Sequence, residues 1–238
     1  MTGRWRQYGA LILIVHLASA CSQEKASPPP PAATTDAQAS APAPVPAPAP
    51  AADAKLVVAF GDSLYAGYNL DQGKGLAPVL EHALDARGIK AQVVNAGVSG
   101  DTSAAGLARL AFTLDGLPRR PDLILVGLGG NDMLRGLSPM ETRANLGAIL
   151  TELQRRHIPV LLTGMVASLN MGPDYAAAFN PIYPDLAKRY GATLYPFMLD
   201  GVIGRRALLL DDGIHPNPQG VEKIVARLAP LTAQALDR

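Results

Sequence analysis

The chain has 238 residues, of which 48% are hydrophobic, enough for one sizeable α/β domain and too apolar for a chain disordered throughout. Its net charge is +1 and Lys and Arg are scattered beyond the N-terminal segment, which excludes nucleic acid as the main partner, because phosphate binding needs a concentrated basic face. The single cysteine cannot form an internal disulfide, so packing alone must hold the fold.

Residues 1–20 have the order of a secretory signal: Arg4 and Arg6, a short apolar run from Tyr8 to Leu17, then the small residues Ala18-Ser19-Ala20. The run is short for a bilayer span and is interrupted by His16, so the segment is expected to be removed on export. Cys21 follows directly, and two readings of the junction compete. Ala18-Ser19-Ala20 satisfies a plain cleavage site that releases a soluble protein. Leu17-Ala18-Ser19-Ala20-Cys21 also resembles a bacterial lipobox, in which Cys21 is lipidated and becomes the new N-terminus. Residues 21–54 continue in Pro, Ala, Ser and Thr, including Pro28 to Pro31 and the alternating run Ala41 to Pro50. Such a stretch cannot bury apolar surface and favours extended polyproline conformations. At about 3 Å per residue it reaches up to roughly 100 Å, a spacer that would hold a domain off a membrane. The spacer favours lipidation, so the expectation is a protein tethered by lipid at Cys21 in the bacterial periplasm or cell envelope.

From Lys55 onward short apolar runs alternate with amphipathic helices. Leu56 to Phe60 is β-prone and ends at Gly61. Leu76, Val79, Leu80, Ala83 and Leu84 recur at helical spacing, and Gly88 suits that helix's end. Gln92 to Asn95 reads as a second strand, followed by a helix around Leu107, Leu110, Ala111 and Leu114. Leu123 to Leu128 is apolar on both faces, as in a buried parallel strand. The next helix has Ser138 as N-cap, Pro139 in the first turn and Glu141 to complete a capping box, with Leu146, Ile149, Leu150 and Leu153 as its buried stripe. Val160 to Met165 is a fourth strand. Phe179 to Tyr190 is a helical segment that Pro181 and Pro184 must break or kink. Thr193 to Tyr195 is a weak fifth strand, and a last helix follows Asn217-Pro218. Alternation of this kind predicts one three-layer α/β/α domain over residues 55–238, with a mostly parallel five-stranded sheet.

Open parallel sheets bind ligands beyond the carboxyl ends of their strands, which directs attention to four glycine-bearing segments: Gly61-Asp62-Ser63-Leu64, Gly97-Val98-Ser99-Gly100-Asp101, Gly129-Gly130-Asn131-Asp132, and Asp211-Asp212-Gly213-Ile214-His215-Pro216. Acyl transfer needs a nucleophile, a base, a group that orients the base, and donors for the oxyanion. Ser63 sits at a strand-to-helix turn. Outside the signal the histidines are His82, His157 and His215. The first lies on the polar side of a helix and the second ends one, which suits solvated residues, whereas His215 lies in a polar loop at the right edge. Asp212 is placed to hold its ring and select a tautomer. Alone, Asp211 to Pro216 reads more readily as an ordinary turn leading into a helix.

Together these blocks resemble a known pattern. GDSLYAGY, VVNAGVSGDTS, GGND and DDGIHP are similar to the four ordered blocks of the SGNH (GDSL-type) hydrolases, over nearly all of residues 55–238. LARL, MLRG and Ile182-Tyr183-Pro184 point to the bacterial group of arylesterases, acyl-CoA thioesterases and lysophospholipases. The resemblance implies the flavodoxin-like SGNH fold and assigns Ser63, Asp212 and His215 as the triad. It places the oxyanion between the N–H groups of Ser63 and Gly100 and the side-chain amide of Asn131. Asp62 and Asp132 are expected to brace loops rather than move protons.

The expected activity is carboxylic ester hydrolysis on a small-molecule or lipid ester, extending to thioesters or lysophospholipids, by a monomer without cofactor or metal. An O-acetylesterase acting on cell-wall sugars would use the same site. A non-catalytic binding lipoprotein would have little need of all five active-site positions. A metal hydrolase is disfavoured because Asp211, Asp212 and His215 have no second histidine near them in sequence. Leu64, Leu134, Leu169 and Met171 offer an apolar surface for an acyl chain, although core packing explains them almost as well.

Overall fold

The computed structural model describes residues 53–238. The signal segment 1–20, Cys21 and the rest of the spacer up to residue 52 lie outside the described residues. Five strands, β1 (Lys55–Gly61), β2 (Ala91–Gly97), β3 (Leu123–Gly127), β4 (Val160–Thr163) and β5 (Thr193–Tyr195), form one sheet in the order β2-β1-β3-β4-β5, with every pair parallel. The order reverses at β1, so the chain leaves β2 and β3 on either side of it and opens a crevice at their carboxyl ends.

The helices are α1 (Ser63–Ala66), α2 (Leu76–Asp85), α3 (Ser103–Asp115), α4 (Gly130–Leu134), α5 (Pro139–Arg155), α6 (Pro173–Phe179), α7 (Ile182–Tyr190) and α8 (Pro218–Leu236). Successive strand residues point to opposite faces, and both faces are covered. Val57, Ala59, Leu123 and Leu125 pack with Leu76, Leu80 and Leu84 of α2 and Val221, Ile224 and Leu228 of α8. Val58, Phe60, Ile124 and Val126 pack instead with Leu110 of α3, Leu146, Ile149 and Leu153 of α5, and Ile182 and Leu186 of α7. Strands buried on both sides explain why β1 and β3 read as continuous apolar runs rather than alternating ones.

Two local expectations are revised. Ser138 occupies the N-cap of α5 in an extended conformation, but its side chain makes no capping bond and the capping box is not formed. The donors that such a box would satisfy are the N–H groups of Ser138 and Glu141, and Glu141 stays exposed, where water can serve in place of the side chains. Instead the Ser138 carbonyl accepts the Thr142 N–H at 3.0 Å. The segment expected near Phe179 to Tyr190 is broken at Pro181, as expected, but not at Pro184, and α6 extends back to Pro173. Pro181 has no N–H to continue α6, which ends at Phe179, while Pro184 falls in the first turn of α7, where no intrahelical donor is lost. The short α1 and α4 were not anticipated.

Candidate active site

Ser63 opens a helix of only four residues, which has no stability of its own. Tertiary packing holds it. Gly61, Gly97 and Gly127 end β1, β2 and β3 and lie side by side in register. The buried ring of Tyr65 lies across two of them: a Cβ built on Gly127 would meet Tyr65 Cε2 at 2.1 Å, and one on Gly61 would meet its Cδ2 at 2.4 Å. A Cβ on Gly97 would strike the Ala66 backbone nitrogen at 2.2 Å. The Tyr65 hydroxyl is held at 2.7 Å from Thr163 Oγ1. Glycines at the strand ends thus let α1 lie flat on the sheet edge and aim Ser63 into the crevice.

His215 reaches Ser63 from the far end of the chain. Leu208 to Asn217 forms a tight loop in which the Leu210 N–H donates to the His215 carbonyl at 2.8 Å and the Asn217 N–H to the Leu208 carbonyl at 3.0 Å. Asp212 Oδ1 accepts the backbone N–H groups of Ile214 and His215, each at 2.9 Å, and its Oδ2 lies 2.7 Å from His215 Nδ1. His215 Nε2 lies 2.8 Å from Ser63 Oγ. A carboxylate only accepts hydrogen bonds, so Nδ1 carries the hydrogen and Nε2 is left to accept the Ser63 hydroxyl. Burial pushes the Asp212 carboxyl up, but the N–H groups of His215 and Ile214 and the His215 ring outweigh it and hold the group down at about 2. Asp212 is therefore charged at neutral pH. The Tyr68 ring covers one face of the imidazole, with centroids 4.5 Å apart.

The expected oxyanion groups lie on the segments that follow β1, β2 and β3. Gly100 has φ +85°, a conformation that favours glycine. Among the described residues, neither the Ser63 N–H nor the Gly100 N–H donates to a backbone or side-chain acceptor. Asn131, in the first turn of α4, donates from Nδ2 to the Asp101 carbonyl at 2.9 Å. An amide nitrogen carries two hydrogens, so one remains for a ligand.

Asp62 and Asp132 are both buried, and both brace the backbone. Asp62 caps α1 by accepting the Leu64 N–H at 3.0 Å. Burial pushes its carboxyl up to about 6, against the pull of that N–H and of His215. Asp132 accepts the N–H and the hydroxyl of Ser103 at 2.8 and 2.5 Å and lies 3.2 Å from the Thr142 hydroxyl, tying α4 to α3 and α5. His82 and His157 are exposed on the surface, as expected. Of the four apolar candidates, Leu134 and Leu169 project into solvent, whereas Leu64 and Met171 are partly buried against the two cores. Three residues near the site had no role assigned from the sequence: Tyr68, Arg109 and Arg135. Arg109 lies within the LARL string, the single signal that marked it.

Comparison with known proteins agrees with this fold. A family model described as the GDSL-like Lipase/Acylhydrolase family matches residues 59–223. The chain is 41% identical over 166 residues to the Escherichia coli (strain K12) protein named thioesterase 1/protease 1/lysophospholipase L1, covering 70% of this chain and 77% of that protein. It is 39% identical over 168 residues to an arylesterase of Vibrio mimicus, covering 71% and 82% of the two chains. Among solved structures it is similar to AlinE4, an esterase of the SGNH-hydrolase family, with 52% identity, a TM-score of 0.67, and coverage of 78% of this chain and 98% of that one. The five-stranded parallel sheet agrees with that fold, and the chain belongs to the GDSL-like lipase/acylhydrolase family, the SGNH hydrolases.

Proposed function

We propose that this protein hydrolyses carboxylic esters by acyl transfer through Ser63, with His215 as general base and Asp212 as its orienting partner. The observation that carries this reading is the His215 ring itself, spanning Ser63 Oγ at 2.8 Å and Asp212 Oδ2 at 2.7 Å. As Oγ forms its bond to the acyl carbon, the hydroxyl proton moves to Nε2. The resulting imidazolium lies against the Asp212 carboxylate and beneath the Tyr68 ring, two contacts that favour a positive charge. The carbonyl oxygen takes up negative charge between the Ser63 and Gly100 N–H groups and the Asn131 amide, donors held in place before the reaction begins. Collapse breaks the bond to the alcohol or thiol, which leaves with the proton from Nε2. Water repeats the sequence on the acyl-enzyme, giving the free acid and restoring Ser63.

Leu134 and Leu169, exposed beside the crevice-forming loops, support an apolar acyl chain as the part of the substrate outside the reacting centre. The order of residues 1–21 and the Pro/Ala spacer support export and lipid attachment at Cys21, which would place the site at a membrane.

A fluorophosphonate probe and a series of aryl esters of graded acyl length test the reading. Wild-type protein should label and turn over, Ser63→Ala should do neither, and Asn131→Ala should turn over about 10²–10³ more slowly with little change in KM. A wild-type protein that neither labels nor hydrolyses an ester would refute the reading in favour of a binding protein.

A further inference from the structure

One guanidinium sits behind the oxyanion donors and touches none of them. Arg109, on α3, donates from Nε to Asp101 Oδ2 at 2.6 Å and from Nη2 to the Gly61 carbonyl at 3.0 Å. Its carbon lies 4.1 Å above the centre of the Phe60 ring. Both members of the Arg109–Asp101 pair are largely buried, at 20% and 11% side-chain exposure. Asp101 in turn uses its main chain: its N–H donates to the Val98 carbonyl at 3.2 Å, and its carbonyl accepts the Asn131 side-chain amide at 2.9 Å.

These contacts run through all three donor segments. Gly61 lies two residues before Ser63, Asp101 directly follows Gly100, and Asn131 hangs from the Asp101 carbonyl. A guanidinium is planar and presents its N–H groups in a fixed fork, so the spacing between the Gly61 carbonyl and the Asp101 carboxylate is set by a rigid body. Arg135 reinforces the arrangement from the solvent side, donating to the Gly100 carbonyl at 2.8 Å, but it spans no second segment.

We propose that Arg109 is a positioning residue for the reaction: by clamping Gly61 and Asp101 it sets the registry of the Ser63, Gly100 and Asn131 donors around the developing oxyanion. The proposal rests on the acyl-transfer reading above and extends it to a residue that never meets the substrate. A lysine at 109 offers a point charge without the fork. It keeps the Asp101 partner and cannot hold the Gly61 carbonyl in the same fixed geometry.

The test is steady-state hydrolysis of an aryl ester by wild type, Arg109→Lys, Asn131→Ala and the double variant, with melting curves for each. Misplaced donors act on the transition state, so Arg109→Lys should lower kcat by about 10-fold or more and move KM by less than about twofold. Because the clamp works through donors that include Asn131, its loss in the Asn131→Ala background should cost clearly less than in wild type, a non-additivity that general destabilisation does not produce. A wild-type kcat in Arg109→Lys, or a fully multiplicative double variant, overturns the clamp. If Arg109→Lys does not fold, Asp101→Asn is put through the same measurements. It removes the charge and keeps the carbonyl that holds Asn131, and failure of both to fold overturns the proposal by making the pair a requirement of the fold. Asn131→Ala with wild-type kcat would instead defeat the oxyanion reading, an outcome separate from failure of the clamp.

Discussion

Asp62 is a buried carboxyl next to the nucleophile, and replacing it with asparagine should stabilise the protein. The side chain is 4% exposed, accepts one N–H, from Leu64, and burial pushes it up to about 6. An ordinary aspartate titrates at about 4, so its charged form is disfavoured in the folded state by about 3 kcal/mol. The sign follows from proton counting. Between about 4 and 6 the folded state binds the Asp62 proton and the unfolded state has released it. The contribution is therefore fully present below about 4 and is lost as pH rises through 6. Asparagine keeps an oxygen acceptor for the Leu64 N–H, an N-cap as good as aspartate, and carries no charge to bury. In urea unfolding followed by far-ultraviolet circular dichroism, Asp62→Asn and wild type should differ little at pH 4. The variant should gain steadily above that, to at most about 3 kcal/mol at pH 8, or roughly 6–12 °C in Tm for a domain of this size. A difference that stays constant with pH, or a variant less stable than wild type at pH 8, would refute the reasoning.

Asp212→Asn should lower kcat by about 10³–10⁴, because an amide can donate to Nδ1 and turn the Nε2 hydrogen toward Ser63; His82→Ala and His157→Ala should leave turnover unchanged, and loss of activity in either would displace His215 as the base. Gly127→Ala should destabilise by about 1–3 kcal/mol, since the new methyl would stand 2.1 Å from the Tyr65 ring, and a melting temperature equal to wild type would show that α1 can lift without cost. Cys21→Ala should move the protein from membrane to soluble fractions of the host with its esterase activity intact, and an intact mass showing unmodified Cys21 would dismiss the lipid anchor.

The order of strands and helices was legible because burial on both faces leaves a plain mark: β1 and β3 are apolar at every central position, and the stripes of α2, α5 and α8 recur at helical spacing. What local pattern missed was decided by contacts far along the chain. The four residues of α1 hold their shape because Asp62 caps them and Tyr65 is pinned to Thr163 and to two strand-end glycines. The Ser138 capping box has the right spelling, yet the bond is not made, because Glu141 faces water, which competes for the same donors. Asp101 and Arg109 are eight positions apart, and Asn131 finds the Asp101 carbonyl from 30 positions away, so no periodicity joins them. Asp212 and His215 were legible for the opposite reason, since three positions suffice to bend the carboxylate back onto both the N–H and the ring of the histidine.

The motif glycines satisfy two demands that coincide in space. On the proposed acyl-transfer reading, chemistry requires backbone N–H groups near Ser63 Oγ with no side chain in the way, a part proposed for Gly100, which has φ +85°. Packing requires that β1, β2 and β3 end in residues flat enough for Tyr65 and Ala66 to rest on them, which Gly61, Gly127 and Gly97 supply. The second demand serves the first, because a helix lifted by one methyl would carry Ser63 away from His215 and from the Gly100 N–H together. A shift of about 1 Å at a reacting centre is enough to cost on the order of 10²-fold in rate, whereas the same shift in a surface loop costs almost nothing. Residues that only pack can be replaced by others of similar volume, but these three stand where the alternatives are backbone and ring atoms at 2.1–2.4 Å. If the proposed acyl transfer holds, the strings around Ser63, Gly100 and Asn131 mark catalytic geometry even at positions whose side chains take no part in the reaction.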